Sequence, residues 1–204
     1  MVWLWILLGI LLIFLALGLA GFEAACVRRE LPPQALTEEY LRGTSRAKWA
    51  EDFVFSSDWF YAQKPQTLRV MSYDGKMLSA RFLPREDAKG TILLFHGYRS
   101  SGLLDFGPEL EFLHRQGYNL LLCDQRAHGA SQGRYMTFGV RERYDVLSWV
   151  TYLAQMLGAE HPMFLSGMSM GATTVLLASC FTFPANVRGV IADCGFSSPY
   201  AIMK

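Results

Sequence analysis

Histidine and cysteine are scarce, with four of each in 204 residues. Cys26, Cys123, Cys180 and Cys194 form no CxxC pair, and no His/Cys cluster has zinc spacing. No cofactor is implied. Half the chain is hydrophobic, 51% by count, so it builds a core without a disulfide framework. That favours a reducing compartment. Cys123 and Cys194 fall in apolar runs and read as small buried hydrophobes. Excess charge of one sign is also missing. The formal net charge is +1, whereas a nucleic-acid binder carries a basic patch or stripe, so nucleic acid is excluded as a partner. Internal repeats and low-complexity tracts are absent, and the length fits one domain.

No Lys or Arg precedes the long apolar run Val2 to Ala20, VWLWILLGILLIFLALGLA. A cleaved signal peptide has a positive n-region and a shorter apolar core. As a helix the run spans roughly 29 Å, close to the hydrocarbon thickness of a bilayer. Trp3 and Trp5 mark one end, where such rings favour the interface. Residues 1–21 therefore read as an uncleaved single-pass transmembrane anchor. Cys26 after Ala24 and Ala25 is the one hint of lipoprotein processing. Arg28 and Arg29, then Arg42, Arg46 and Lys48, place the C-terminal side in the cytoplasm by the positive-inside tendency.

Residues 22–66 read as a connector. Leu31-Pro32-Pro33 breaks any helix leaving the membrane, and Thr37 predicts an N-cap for a helix through about Phe53. From 67 to 204 the pattern is that of a second unit. TLRVMSY and KMLSARFL flank Asp74-Gly75, a hairpin signal. Short apolar runs follow at Thr91–Phe95, Asn119–Cys123, Pro162–Ser166 and Val187–Asp193. Helical patterns lie between them. The first runs to about His114 with Pro108 near its start. The second, over Val140–Leu157, has a stripe at Val140, Tyr144, Leu147, Val150, Ala154 and Leu157. The third covers Ala172–Cys180. Strands alternating with helices predict an α/β fold, a mostly parallel central sheet with helices on both faces. Ligands in such sheets bind beyond the carboxyl ends of the strands.

Three loops lie at those ends. Gly167-Met168-Ser169-Met170-Gly171 is G-x-S-x-G directly after a strand and before a helix. A nucleophilic serine there stands on a tight turn, and the glycines leave room for it. The helix that begins at this point aims free N–H groups at developing negative charge. His96-Gly97-Tyr98 follows the Thr91–Phe95 run. Acyl transfer needs two backbone donors for the oxyanion, read here as the N–H groups of Met170 and Tyr98. Gly97 permits the close approach, and His96 reads as organising the loop. The third loop, Asp124 to Gly133 (DQRAHGASQG), reads as a self-bonded turn, with substrate holding as the alternative.

FHGY at 95–98, DQRAHGASQG at 124–133, GMSMG at 167–171 and ADCGFSS at 192–198 resemble the α/β-hydrolase superfamily in order and position. The likeness is to bacterial, membrane-anchored, serine aminopeptidase-like members. It implies the α/β-hydrolase fold, no metal, and hydrolysis of a small acyl substrate (ester, thioester or amide) through an acyl-serine. All four histidines, His96, His114, His128 and His161, precede Ser169, whereas the superfamily's order is Ser, acid, His. Asp193 is the one acid after Ser169 and reads as anchoring the loop after its strand; a triad acid placed one strand early stays open. The expectation is a C-terminal truncation: last strands missing, acid and histidine beyond Lys204, and residues 1–204 nearly inactive alone. Three functions compete: a membrane-anchored esterase or lipase, a small-peptide hydrolase, and a catalytically dead interaction module.

Overall fold

A computed structural model describes residues 1–32 and 34–203; the breaker Pro33 and the terminal Lys204 lie outside the described residues. Helix α1 runs from Val2 to Cys26, longer than the 1–21 reading, because nothing in Gly21–Cys26 stops a helix. None of the residues in its most apolar 18-residue stretch is buried against the rest of the protein. The helix read from Thr37 to Phe53 is in fact three pieces. Thr37 does cap α2 (Glu38–Arg42), accepting from Tyr40 N at 3.4 Å, but Gly43 and Thr44 end it. A 3-10 turn at Ala47–Trp49 leads into α3, Ala50–Ala62.

β1 (Gln66–Met71) and β2 (Met77–Leu83) form the hairpin, with Gly75 at φ +77° in its turn. Then come β3 (Gly90–Phe95), α4 (Gly102–Arg115), β4 (Tyr118–Asp124), α5 (Glu142–Leu157), β5 (Met163–Met168), α6 (Met170–Ala178), β6 (Val187–Asp193) and a short α7 (Pro199–Met203). The sheet order is β1-β2-β4-β3-β5-β6. The β1/β2 and β2/β4 pairs are antiparallel, and β4/β3, β3/β5 and β5/β6 are parallel. Among the described residues β6 is an edge strand.

The central strands are apolar throughout because both faces are covered. Leu93, Phe95, Leu121 and Cys123 face Val146, Trp149 and Val150 of α5 and Val175 of α6. The alternate residues Ile92, Leu94, Leu120 and Leu122 face Leu103, Phe106 and Leu110 of α4 and Phe60 of α3. The connector thus completes one face of the core.

Two helices differ from the sequence pattern. Pro108 lies inside α4, whose N-cap is Ser101, accepting from Leu104 N at 3.3 Å. A proline there offers no N–H to the carbonyl four residues back. That carbonyl, Leu104 O, is taken by Arg46 Nε at 3.1 Å. A distant side chain therefore removes most of the reason for the helix to break. In α5 the buried face is Glu142, Asp145, Val146, Trp149, Val150 and Leu153, about one residue off the apolar stripe. Val140 precedes the helix and is exposed. The offset arises because Asp145 points inward to a buried partner: Arg126 donates to it through Nε at 2.7 Å and Nη2 at 2.6 Å. Cys194 is the other correction. It follows β6, is exposed, and has φ +47°. Cys26 and Cys123 are buried, and all four thiols are free.

Candidate active site

β5 delivers the chain to Ser169 at the carboxyl end of the sheet, and α6 starts at the next residue. Ser169 sits at φ +53°, ψ −112°, a region that L-residues with a side chain avoid. Such strain costs of order 1–3 kcal/mol and persists only where the surroundings impose it. Here Ser169 N donates to Asp193 O at 2.9 Å, and Thr173 N donates to Ser169 O at 3.1 Å. The flanking glycines are obligatory. A Cβ on Gly167 would lie 2.2 Å from Gly171 O, and one on Gly171 would lie 1.8 Å from Phe95 O.

The second loop meets the first at Gly97, where a Cβ would sit 3.3 Å from Ser169 Cβ. Gly97 N donates to Asp105 Oδ2 at 2.6 Å. Asp105 also accepts from Ser100 Oγ at 2.6 Å and Arg46 Nη2 at 3.0 Å. Tyr98 N–H and Met170 N–H, the two donors read from sequence, have no acceptor among the described residues.

His96 and His128 stand behind this loop, ring centroids 4.8 Å apart. His96 Nδ1 bonds Gly97 O at 2.8 Å and its Nε2 accepts from Gln125 N at 3.2 Å. His128 Nδ1 bonds Arg126 O at 3.0 Å and its Nε2 accepts from Arg99 N at 3.1 Å. Each ring is thus a neutral Nδ1–H tautomer with both nitrogens used. Burial holds both below the ordinary histidine range; His128, with His96 beside it, is lowered to about 4. Gln125 Nε2 donates to His96 O, and Thr174 Oγ1 on α6 donates to Gln125 Oε1 at 3.0 Å. The loops after β3 and β4 and the helix after Ser169 are joined through that one amide.

The loop after β4 bonds to itself. Asp124 Oδ2 accepts from Ala130 N at 2.9 Å, and Ser131 Oγ donates to Asp124 O at 2.6 Å. Arg126, 2% exposed, ties it to Asp145 of α5 and to Asp74 in the hairpin turn. Burial works to raise the Asp74 carboxyl, but hydrogen bonds from Arg126 and Ser72 outweigh it and hold Asp74 below the usual carboxylate range.

Ser169 opens into a cavity of about 340 Å³ lined by Ala25, Tyr98, Phe138, Phe196 and Ile202. Tyr98 stacks on Phe138 with centroids 5.3 Å apart. No charged side chain lines this cavity among the described residues. None of the four histidines bonds Ser169: His114 bonds Pro84 O and His161 bonds Thr91 Oγ1. The Asp193 carboxylate is exposed and makes no hydrogen bond among the described residues, so it does not anchor the loop after β6; its main-chain carbonyl accepts from Ser169 N. No cluster of three or more His, Cys, Asp or Glu that could hold a metal occurs among the described residues.

Asp105 and Phe138 lie outside the three loops that carry sequence signals. Asp105 is eight positions from the peptide it orients, and Phe138 is in no regular element. Neither offers a local periodicity to read.

A family model described as "Serine aminopeptidase, S33" matches residues 86–200. The uncharacterized protein YqkD of Bacillus subtilis (strain 168) is 31% identical over 114 residues, covering 54% of this chain and 36% of that protein. Caffeoylshikimate esterase of Arabidopsis thaliana is 28% identical over 134 residues, covering 64% of this chain and 39% of that enzyme. The solved structure of the Pyrococcus furiosus esterase Pf2001 superposes with a TM-score of 0.59 at 26% identity, over 66% of this chain and 51% of that one. The chain thus spans about half or less of these relatives.

Proposed function

This chain belongs to the serine aminopeptidase S33 family of α/β hydrolases, and from that membership we propose that the protein is a membrane-anchored serine hydrolase that cleaves acyl esters through Ser169. The observation that carries the reading is the Ser169 backbone. A non-glycine residue is held at φ +53° between a strand and a helix, with two glycines packed against neighbouring main chain. A passive turn would relax by placing glycine at 169. Strain kept on the one residue with a hydroxyl supports a nucleophile.

In this mechanism Ser169 Oγ attacks the acyl carbonyl and loses its proton to a base. The carbonyl oxygen becomes an oxyanion, which accepts from Tyr98 N–H and Met170 N–H. Collapse expels the alcohol, which takes the proton back from the base, and leaves an acyl-serine; water, giving a proton to the same base, then attacks, and the acid leaves as Ser169 recovers that proton. The base must be an imidazole within reach of Oγ. His96, His114, His128 and His161 are committed elsewhere, so the proposal concerns the whole protein. His96, Gly97, Gly167 and Gly171 serve the loops rather than the chemistry.

An ester is favoured over a peptide because the cavity lining is apolar and aromatic. Capture of a free amino terminus calls for a carboxylate, and the described lining offers none. Two of the relatives compared are esterases by name. We take α1 as the tether, and the basic residues after it support a cytoplasmic hydrolase unit by the positive-inside tendency.

The test is fluorophosphonate labelling of membranes containing the whole protein, with turnover of p-nitrophenyl esters. We expect labelling and turnover that Ser169→Ala abolishes. Equal labelling of Ser169→Ala moves the nucleophile elsewhere and rejects the reading; no labelling and no turnover of any ester rejects it in favour of a non-catalytic module.

A further inference from the structure

A helix leaves its last four carbonyls without intrahelical donors. In α1 each of the four is capped. Glu23 O takes Val27 N at 3.3 Å, and Cys26 O takes Met136 N at 2.7 Å. The middle two are capped by the loop after β3: Arg99 Nη2 donates to Ala24 O at 2.5 Å and Tyr98 Oη donates to Ala25 O at 2.8 Å. A guanidinium at a helix C-terminus also meets the negative end of its dipole.

The rest of the junction is equally close. Cys26 is 9% exposed and packs against Phe138 and Met170. Val27 pairs with Tyr135 as an isolated antiparallel bridge, and Arg28 N donates to Arg134 O at 2.7 Å. Phe22 and Tyr135 pack with ring centroids 5.3 Å apart. Ala25 itself lines the Ser169 cavity. Cleavage beside Cys26 would remove a wall of that cavity and two hydrogen-bond acceptors.

We propose that the last turn of α1 is a positioning element of the catalytic site: it holds Tyr98 and Arg99, and through them the free Tyr98 N–H, in register with Ser169. The inference rests on the serine hydrolase reading above. Arg99 needs such support, since its φ is +50° and its own N–H is spent on His128. Tyr98 is held at two points, by its ring on Phe138 and by its hydroxyl on Ala25. The membrane helix is then a working part of the site as well as a tether. It stays on the mature protein, and the cavity mouth lies within one helical turn of the end of the span.

The test uses the whole protein in membranes, with Tyr98→Phe and Arg99→Ala singly and together, and Arg99→Lys. Hydrolysis of p-nitrophenyl acetate reports kcat and KM on a substrate that needs no bilayer. N-ethylmaleimide modification of Cys26, with Cys180 and Cys194 replaced by serine, reports docking independently of catalysis. Loss of one oxyanion donor costs about 10²–10³-fold in rate. Misplacement of one should lower kcat about tenfold or more in the double variant, with KM nearly unchanged and much of the loss restored by lysine at 99. Cys26 should react slowly in the parent and at least about tenfold faster in the double variant, as its burial would be lost. Unchanged kcat in the double variant, rapid modification of Cys26 in the parent, or a mature N-terminus beyond Cys26 overturns the proposal. Ester turnover surviving Ser169→Ala would instead reject the serine reading, and is distinguishable from all three.

Discussion

The Cα of Gly171 lies against the main-chain carbonyl of Phe95, so closely that a methyl group there would stand 1.8 Å from the oxygen. The first turn of α6 is thereby pressed onto the end of β3. This contact brings the Met170 N–H and the loop after β3 to the same place. Gly171→Ala must push helix and strand apart. Overpacking costs about 1–3 kcal/mol even where side chains can yield, and here the obstacle is backbone. We expect a loss of at least about 3 kcal/mol, read as a large drop in melting temperature or failure to accumulate. Gly189→Ala is the control: its Cβ would meet Phe164 at an ordinary 3.6 Å. Equal melting temperatures for the two variants would refute the packing argument.

Strain at Ser169 gives a prediction of opposite sign. Glycine adopts positive φ without steric cost. Ser169→Gly should therefore stabilise the fold by about 1 kcal/mol while removing all nucleophilic activity. Ser169→Ala should remove activity without the gain. Denaturant midpoints of the three proteins decide it, and an alanine variant as stable as the glycine variant would mean the backbone there is relaxed.

Asp105 orients the Gly97 peptide and is itself held by Ser100 and Arg46. Asp105→Ala leaves the Gly97 N–H without its acceptor and Arg46 with only Leu104 O to donate to. An unsatisfied buried donor costs about 1–3 kcal/mol. We expect destabilisation in that range and a fall in kcat larger than any change in KM. Asp105→Asn keeps an acceptor for Gly97 and should recover part of the rate. Matching kcat values for the alanine variant and the parent would remove Asp105 from the positioning of the loop.

The paired histidines set an acid limit on stability. His128 is held at about 4 in the fold, first by burial and then by His96; an unfolded histidine titrates near about 6.5. Between those values the unfolded chain binds a proton that the native chain refuses. Stability is therefore full above pH ~6.5, falls as the pH drops toward ~4, and loses no more from this group below that, about 3 kcal/mol in all. His96 is lowered in the same direction by burial and adds to the slope. Urea midpoints of the parent and of His128→Asn across pH 4–8 test this. The variant should start less stable and lose less on acidification, and parallel curves would show that His128 does not titrate on unfolding.

The hairpin at Asp74-Gly75, the buried runs that became β3 to β5, and the G-x-S-x-G turn were all legible because each rests on local rules: turn chemistry, burial on two faces, and glycine where backbone meets backbone. Interruptions were harder to read. Pro108 argues for a helix start until Arg46, 62 positions earlier, satisfies the carbonyl it abandons. The α5 stripe points about one residue off the true face because Asp145 turns inward to Arg126. Cys194 looked buried, yet it has passed the end of its strand.

By itself the sequence determined where a serine turn stands between a strand and a helix, that the Met170 N–H follows it in the chain, and that an apolar helix precedes the connector. Those are properties of neighbours along the backbone. Only the tertiary structure decided what surrounds them: that Asp105 aims the Gly97 peptide, that both buried histidines are spent on main chain, and that α1 ends its carbonyls on Tyr98 and Arg99. Each of these depends on hydrogen bonds between separate loops and elements, several of them between residues far apart in the chain. No periodicity announces such a bond, because it exists only once the sheet has brought its loops to one end.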